Sequence, residues 1–210
     1  MKMLHACLGR LNHLNNPVVL GLCGNALLAL LLVTRQELER SMLLHMMAQL
    51  PLLFLCGALL AQAAVLSGAT FFNRLRIYDQ NGVAGLFALL FISAYWMIPR
   101  ALEECLTMPM AEFSKFVSLI ALGAVLPGSL KRANWIIQVF FLGNFCSMTA
   151  IVGMLYQDMP QRLCNAYLLD DQSTTGMGLV TASLLVAACW CIARIPALAP
   201  DSISPSSSQP

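Results

Sequence analysis

Charge is scarce in this sequence. Asp, Glu, Lys and Arg make up 10% of the 210 residues, against about 25% in a typical soluble domain. Hydrophobic residues make up 59%, and mean hydropathy is +0.73. That balance excludes an ordinary soluble domain and points to an integral membrane protein. A net charge of +2 and the lack of a basic patch interleaved with aromatics exclude a nucleic-acid binder. The eight cysteines form no C-x-x-C, no C-x-x-C-H and no zinc-type quartet, so neither a redox motif nor a haem attachment is present. Most of them sit in apolar runs, where a thiol behaves as a small hydrophobe. There is no G-x-S-x-G, H-E-x-x-H or P-loop, and an enzyme is not expected. No internal repeat supports an inverted-repeat transporter. Only one histidine, His45, falls inside an apolar run, since His5 and His13 precede the first. Two histidines axial to one haem are thus not available within a single chain.

What the chain does have is long apolar runs. A bilayer core of ~30 Å needs about 20 residues of helix. Six windows qualify: Pro17–Thr34, Met42–Gly68, Gly82–Met97, Phe113–Leu130, Trp135–Tyr156 and Thr174–Ile195. Several connections are short, such as R-Q-E-L-E-R and K-R-A-N, and favour an antiparallel up-down bundle. The expected fold is therefore all-α, a polytopic membrane bundle of about six transmembrane helices over residues 17–196. Residues 1–16 begin like a signal n-region but lead into no clean apolar core, so they read as a cytoplasmic segment before an uncleaved anchor. Residues 197–210, rich in Ser and Pro, read as a disordered cytoplasmic tail.

Six crossings put alternate connections on opposite faces. One face carries Lys2, Arg10, Arg74, Arg76, Lys131, Arg132 and Arg194. The other carries Arg35, Arg40, Arg100, Lys115 and Arg162. The positive-inside rule then places both termini in the cytoplasm. Most acids fall on the opposite, periplasmic face, among them Glu37, Glu39, Glu103, Glu104, Glu112, Asp158, Asp170 and Asp171.

The stretch M-L-L-H-M-M-A-Q-L, residues 42–50, carries an imidazole and three thioethers. Helical spacing puts Met42, His45 and Gln49 on one face, with Met46 flanking it. Imidazole with thioether suits copper, and thioether favours Cu(I). Packing by adaptable methionines around a bonded histidine explains the same residues. T-M-P-M, residues 107–110, adds Met108 and Met110 on the same face, in a turn or extended segment. P-R-A-L-E-E, residues 99–104, kinks or ends the third helix at Pro99 and pairs Arg100 with Glu103 or Glu104. Exposed, those charges are an ordinary surface pair; buried, they mark a functional site. Asp170 or Asp171 opens the sixth run and suits a helix N-cap; an outward carboxylate that attracts cations is the alternative. Lys115 and Glu112 bracket the start of the fourth run as interfacial anchors. Cys105 and Cys164 lie near the outer boundary, where burial, a disulfide or a thiolate ligand are all open.

Two places carry a family likeness. H-M-M-A-Q from His45, followed by L-P-L-L, resembles the early H-M-containing helix of the multi-span CtaG-like cytochrome c oxidase assembly factors. D-Q-x-x-x-G at Asp171, Gln172 and Gly176 resembles that family's late D-Q motif. Gln49 stands where the family often carries a second histidine. The resemblance implies delivery of copper to a respiratory oxidase from the periplasmic side, with His45 and Asp171 as its first positions.

The sequence reading is thus a bacterial inner-membrane accessory factor for a respiratory cytochrome oxidase. It holds Cu(I) transiently through His45, Met42, Met46, Met108 and Met110, with Asp171 nearby. Its partners are the lipid bilayer and an oxidase subunit. The rivals are a structural subunit or scaffold of a membrane complex without a ligand, a small-solute transporter, and a haem-binding subunit.

Overall fold

Helix α1, Pro17–Val33, starts where its capping residues dictate. The Asn16 carboxamide accepts the Val18 N–H at 3.0 Å, and Pro17 occupies the first turn, where a missing N–H costs nothing. A computed structural model describes residues 16–71 and 77–198, with side chains as far as Arg194. The expected N-terminal segment and the expected tail lie outside these residues, apart from Asn16 and the last turn of the final helix. Among the described residues there is no strand.

A four-residue turn, α2 (Arg35–Leu38), leads to α3 (Met42–Leu66). Within α3, His45–Gln49 forms one π-helical turn, and the Leu50 N–H bonds the His45 carbonyl. Pro51 accounts for the widening. It has no N–H to offer the Met47 carbonyl, and its ring would collide with that oxygen in a regular helix.

Helix α4, Val83–Trp96, has 14 residues and a length of ~21 Å. The chain then turns by 73° into α5, Pro99–Thr107. Pro99 ends the third run as its missing N–H predicts. The break is bonded rather than bare: the Tyr156 hydroxyl donates to the Met97 carbonyl at 2.5 Å, and the Trp96 indole donates to Ser118 Oγ at 3.0 Å. Then follow α6 (Pro109–Arg132), α7 (Trp135–Asp158) and α8 (Leu169–Leu198).

Where six crossings are expected, α3, α6, α7 and α8 are long and apolar enough to cross a membrane. The bent pair α4–α5 makes a fifth if it is one span, and α1 is shorter, at 17 residues. The all-helical membrane bundle stands.

The packing order follows the chain. Helix α3 lies between α1 and α6, α4 bridges α6 and α7, and α8 pairs with α7 and touches the first turns of α3. The α3–α6 crossing is backbone-close because a glycine on each helix faces it. A Cβ on Gly57 would lie 2.0 Å from the Ile120 carbonyl oxygen, and one on Gly123 would lie 1.9 Å from that of Phe54. The segment before α4 is clamped to the end of α6. Arg132 pairs with the Asp79 carboxylate at 2.6 Å, Ser129 also bonds it, and its other oxygen accepts the Ala84 N–H at 3.0 Å. Burial works to raise the Asp79 pKa, but the Ser129 and Arg132 bonds, the Arg132 charge and the Ala84 N–H outweigh it and hold the carboxyl below its ordinary value. Gly82 completes this turn with φ +71°, and its Cβ would stand 2.1 Å from the Ser129 carbonyl oxygen.

Candidate functional site

The opposite end of the bundle from Asp79 gathers the acidic connections. Arg35 reaches Glu112 at 2.9 Å, Ser41 donates to Asp171 at 2.9 Å, and Cys164 Sγ lies 3.9 Å from a Glu103 oxygen. The segments 34–41, 98–109 and 159–168 therefore share one end, as alternate loops should.

Just inside that end is a buried charged cluster. Lys115 is six residues into α6, ~9 Å along its axis, and its side chain is wholly buried. Its ammonium lies 2.7 Å from Glu39 Oε1, 2.9 Å from His45 Nε2 and 3.0 Å from Gln49 Oε1. An ammonium has three N–H groups, so the set is complete. His45 Nδ1 lies 2.9 Å from the Tyr167 hydroxyl, which donates to the Glu39 carbonyl at 3.1 Å. The partners assign the proton positions: Nε2 faces an ammonium and accepts, so Nδ1 carries the hydrogen. Burial pushes the Tyr167 phenol above its ordinary pKa, and charges on Cys164, Glu39, Asp171 and Cys105 add to that, so it stays a donor. The Gln49 amide donates back to Glu39 Oε1 at 3.2 Å. Among the described residues no buried side-chain nitrogen or oxygen is left unpartnered.

This cluster shows where the expected site residues stand. His45 is fully buried, with both nitrogens engaged. Met42 and Met46 are buried in an adjoining cluster with Leu102, Tyr156, Cys164, Tyr167 and Leu179. Met108 and Met110, at the α5–α6 junction, are 58% and 77% exposed and do not join that core. Met108 is extended, and Met110 lies in the first turn of α6 rather than in a free loop. Among the described residues, no three of His, Cys, Asp and Glu stand together as a metal site. A copper ion on His45 would need a ring nitrogen, yet one already meets a cation at 2.9 Å and the other a phenol. The expected donor set does not fit a resident copper.

Asp171 does a different job from either expectation. It lies inside the first turn of α8 and not before it, so it does not cap its own helix. Its carboxylate accepts from Ser41 Oγ and from the Met42 N–H, at the start of α3. It thus caps a neighbouring helix and docks α8 against α3. Asp171→Ala is expected to cost about 1–2 kcal/mol, the usual loss for a cap, while Asp170→Ala changes little. Chemical unfolding of both variants in one detergent checks the contrast.

The remaining candidates resolve locally. Arg100 pairs with Glu104 at 3.3 Å and is 85% exposed, so this is the water-facing pair, worth ~0–1 kcal/mol. Cys105 and Cys164 are both free thiols, buried near Tyr167. Lys115 is not an interfacial anchor, whereas Glu112 is surface-paired with Arg35. Sequence reasoning placed Lys115 at the interface and passed over Glu39 and Tyr167 as site residues. The signal was available for Lys115: an ammonium past the first turn of an apolar span is a functional-site candidate by default.

Beside the cluster lies an open cleft of about 440 Å³, lined by Arg40, Ser41, Tyr167, Asp170, Asp171 and Thr174. Tyr167 belongs to both, with its hydroxyl on His45 and its side chain in the cleft wall. No family model, no curated protein and no solved structure matches this chain.

Proposed function

We propose that this protein is a non-catalytic accessory or scaffolding factor of a membrane complex, and that its buried cluster locks one end of the bundle instead of ligating copper. The observation that carries this reading is the closed bonding of the cluster, with the Lys115 ammonium seated on His45 Nε2. A transient metal site keeps a donor atom free or exchangeable, and here both His45 nitrogens, the Lys115 ammonium and the Gln49 amide are spent on neighbours from other segments. Respiratory oxidase assembly is the role that the CtaG-like resemblance offers such a factor. Six crossings of a bacterial inner membrane, with α1 as the first and the broken α4–α5 pair as the third, put both termini in the cytoplasm. The Lys and Arg balance supports that orientation.

The test is purification of the tagged full chain from its own membrane in mild detergent, with identification of co-purifying chains and a Cu(I) titration under argon. Oxidase subunits are expected to co-purify, and Cu(I) binding is expected to be the same for wild type and His45→Gln. Loss of Cu(I) binding in His45→Gln restores the copper reading. A chain recovered alone that drives solute uptake in proteoliposomes removes the scaffold reading.

A further inference from the structure

Helix α1 sits at the edge of the bundle and packs chiefly on α3. Its inner face is shaped for that contact: Gly24 and Leu31 are buried, and Gly21 lies against Ala63. Its outer face is broad, with Cys23, Ala26, Leu30 and Val33 exposed along one side and Val18, Leu22, Asn25, Ala29 and Leu32, the stripe that holds its polar residue, exposed along the other. The residues of that stripe are spaced 4-3-4-3, the a/d seam of a two-helix coil.

Asn25 is the unusual member. It is the ninth of 17 residues, at the middle of α1. Its amide nitrogen donates to the Gly21 carbonyl at 2.8 Å, and among the described residues its carbonyl oxygen meets no donor. Hydrocarbon offers neither donor nor acceptor to a carboxamide. No acid, base or second amide lies on this seam, so the Asn25 carboxamide is its one strongly polar group and carries no charge to draw an ion. A carboxamide carries both a donor and an acceptor, and across a two-fold axis a central seam residue meets its own copy. A short span also gains from association, which relieves mismatch with a thicker bilayer.

We propose that this protein self-associates in the membrane through α1, with Asn25 of each copy bonded to the other at the centre of the seam. The inference rests on α1 crossing the bilayer, as in the proposed six-pass arrangement. Asn144 also faces outward at mid-span, from α7, and serves as the competing position. It ranks second because α7 already packs on two helices, α4 and α8.

The test is the monomer–dimer equilibrium of the full chain, by density-matched sedimentation in detergent, for wild type, Asn25→Leu, Asn25→Gln and Asn144→Leu. Leucine on a lipid-facing surface leaves the fold intact. Asn25→Leu is expected to raise the dimer dissociation constant about tenfold, while Asn25→Gln and Asn144→Leu stay near wild type. A monomeric wild type, an unchanged Asn25→Leu dimer, or dissociation in Asn144→Leu alone overturns the proposal. Cys23, exposed in the middle of α1, separates the two readings. In vesicles, peptide mapping after a water-soluble maleimide is expected to find it unmodified. Its modification removes α1 from the membrane and sinks both readings, whereas a shielded Cys23 with an unchanged Asn25→Leu dimer sinks this one only.

Discussion

Lys115→Met is expected to destabilise the bundle by about 3–5 kcal/mol, the cost of leaving one member of a buried ion pair alone. The residues around it say why. The Glu39 carboxylate would keep only the Gln49 amide at 3.2 Å, in a site where its side chain is 11% exposed. The His45 Nε2 acceptor and the Gln49 carbonyl oxygen would lose their donor together. Glu39→Gln carries a similar penalty from the other side, because it strands a fully buried ammonium. The double variant is expected to be less damaged than the sum of the two, since a neutral methionine beside a neutral amide leaves no unpaired charge. A double-mutant cycle in chemical unfolding, read in a single detergent, measures this coupling directly. A Lys115→Met variant within about 1 kcal/mol of wild type would mean that water reaches the ammonium and that the cluster does not lock the bundle.

The cluster also marks the boundary of what the chain discloses before it is folded. Apolar runs reveal helices because length and hydropathy are local, and so α1, α3, α6, α7 and α8 are legible. The stop at Pro99 is legible for the same reason: a missing N–H acts on its own turn. A kink there is legible too, but its 73° angle is not, because the Tyr156 and Ser118 side chains that bond the break come from other helices. Asp171 shows the limit most plainly. An acidic residue near a helix start reads as a cap for that helix, yet its acceptors serve the start of α3, 129 residues earlier in the chain. The His45 stripe is legible as a face containing Met42 and Gln49. What faces it is not, since Lys115 lies 70 residues away and Tyr167 lies 122 away. A soft-metal reading and a salt-bridge reading share the same local pattern, and only the ammonium across the gap separates them.

Gly57 and Gly123 define the second large expectation. They occupy reciprocal positions on α3 and α6, each Cα against a carbonyl of the other helix: Gly57 meets Ile120, and Gly123 meets Phe54. Contacts of 2.0 and 1.9 Å for an added Cβ are far inside van der Waals range, and the obstructing atoms are backbone, which cannot rotate away. Close approach of this kind is how membrane helices gain dispersion contact where no hydrophobic effect drives them together. Gly57→Ala or Gly123→Ala must therefore push the two helices apart, at an expected cost of about 1–3 kcal/mol each, as for overpacked cores. The consequence reaches the charged cluster, because the same two helices carry His45 and Gln49 on one side and Lys115 on the other. Separating them stretches bonds of 2.9 and 3.0 Å that leave little slack. The two effects should thus be coupled: Gly57→Ala is expected to destabilise wild type more than it destabilises a Glu39→Gln/Lys115→Met background. Gly143→Ala is the control, since nothing lies within 4 Å of its added Cβ, and it is expected to be neutral or slightly stabilising. Equal losses from Gly57→Ala and Gly143→Ala would show that the α3–α6 crossing is not what holds Lys115 against His45.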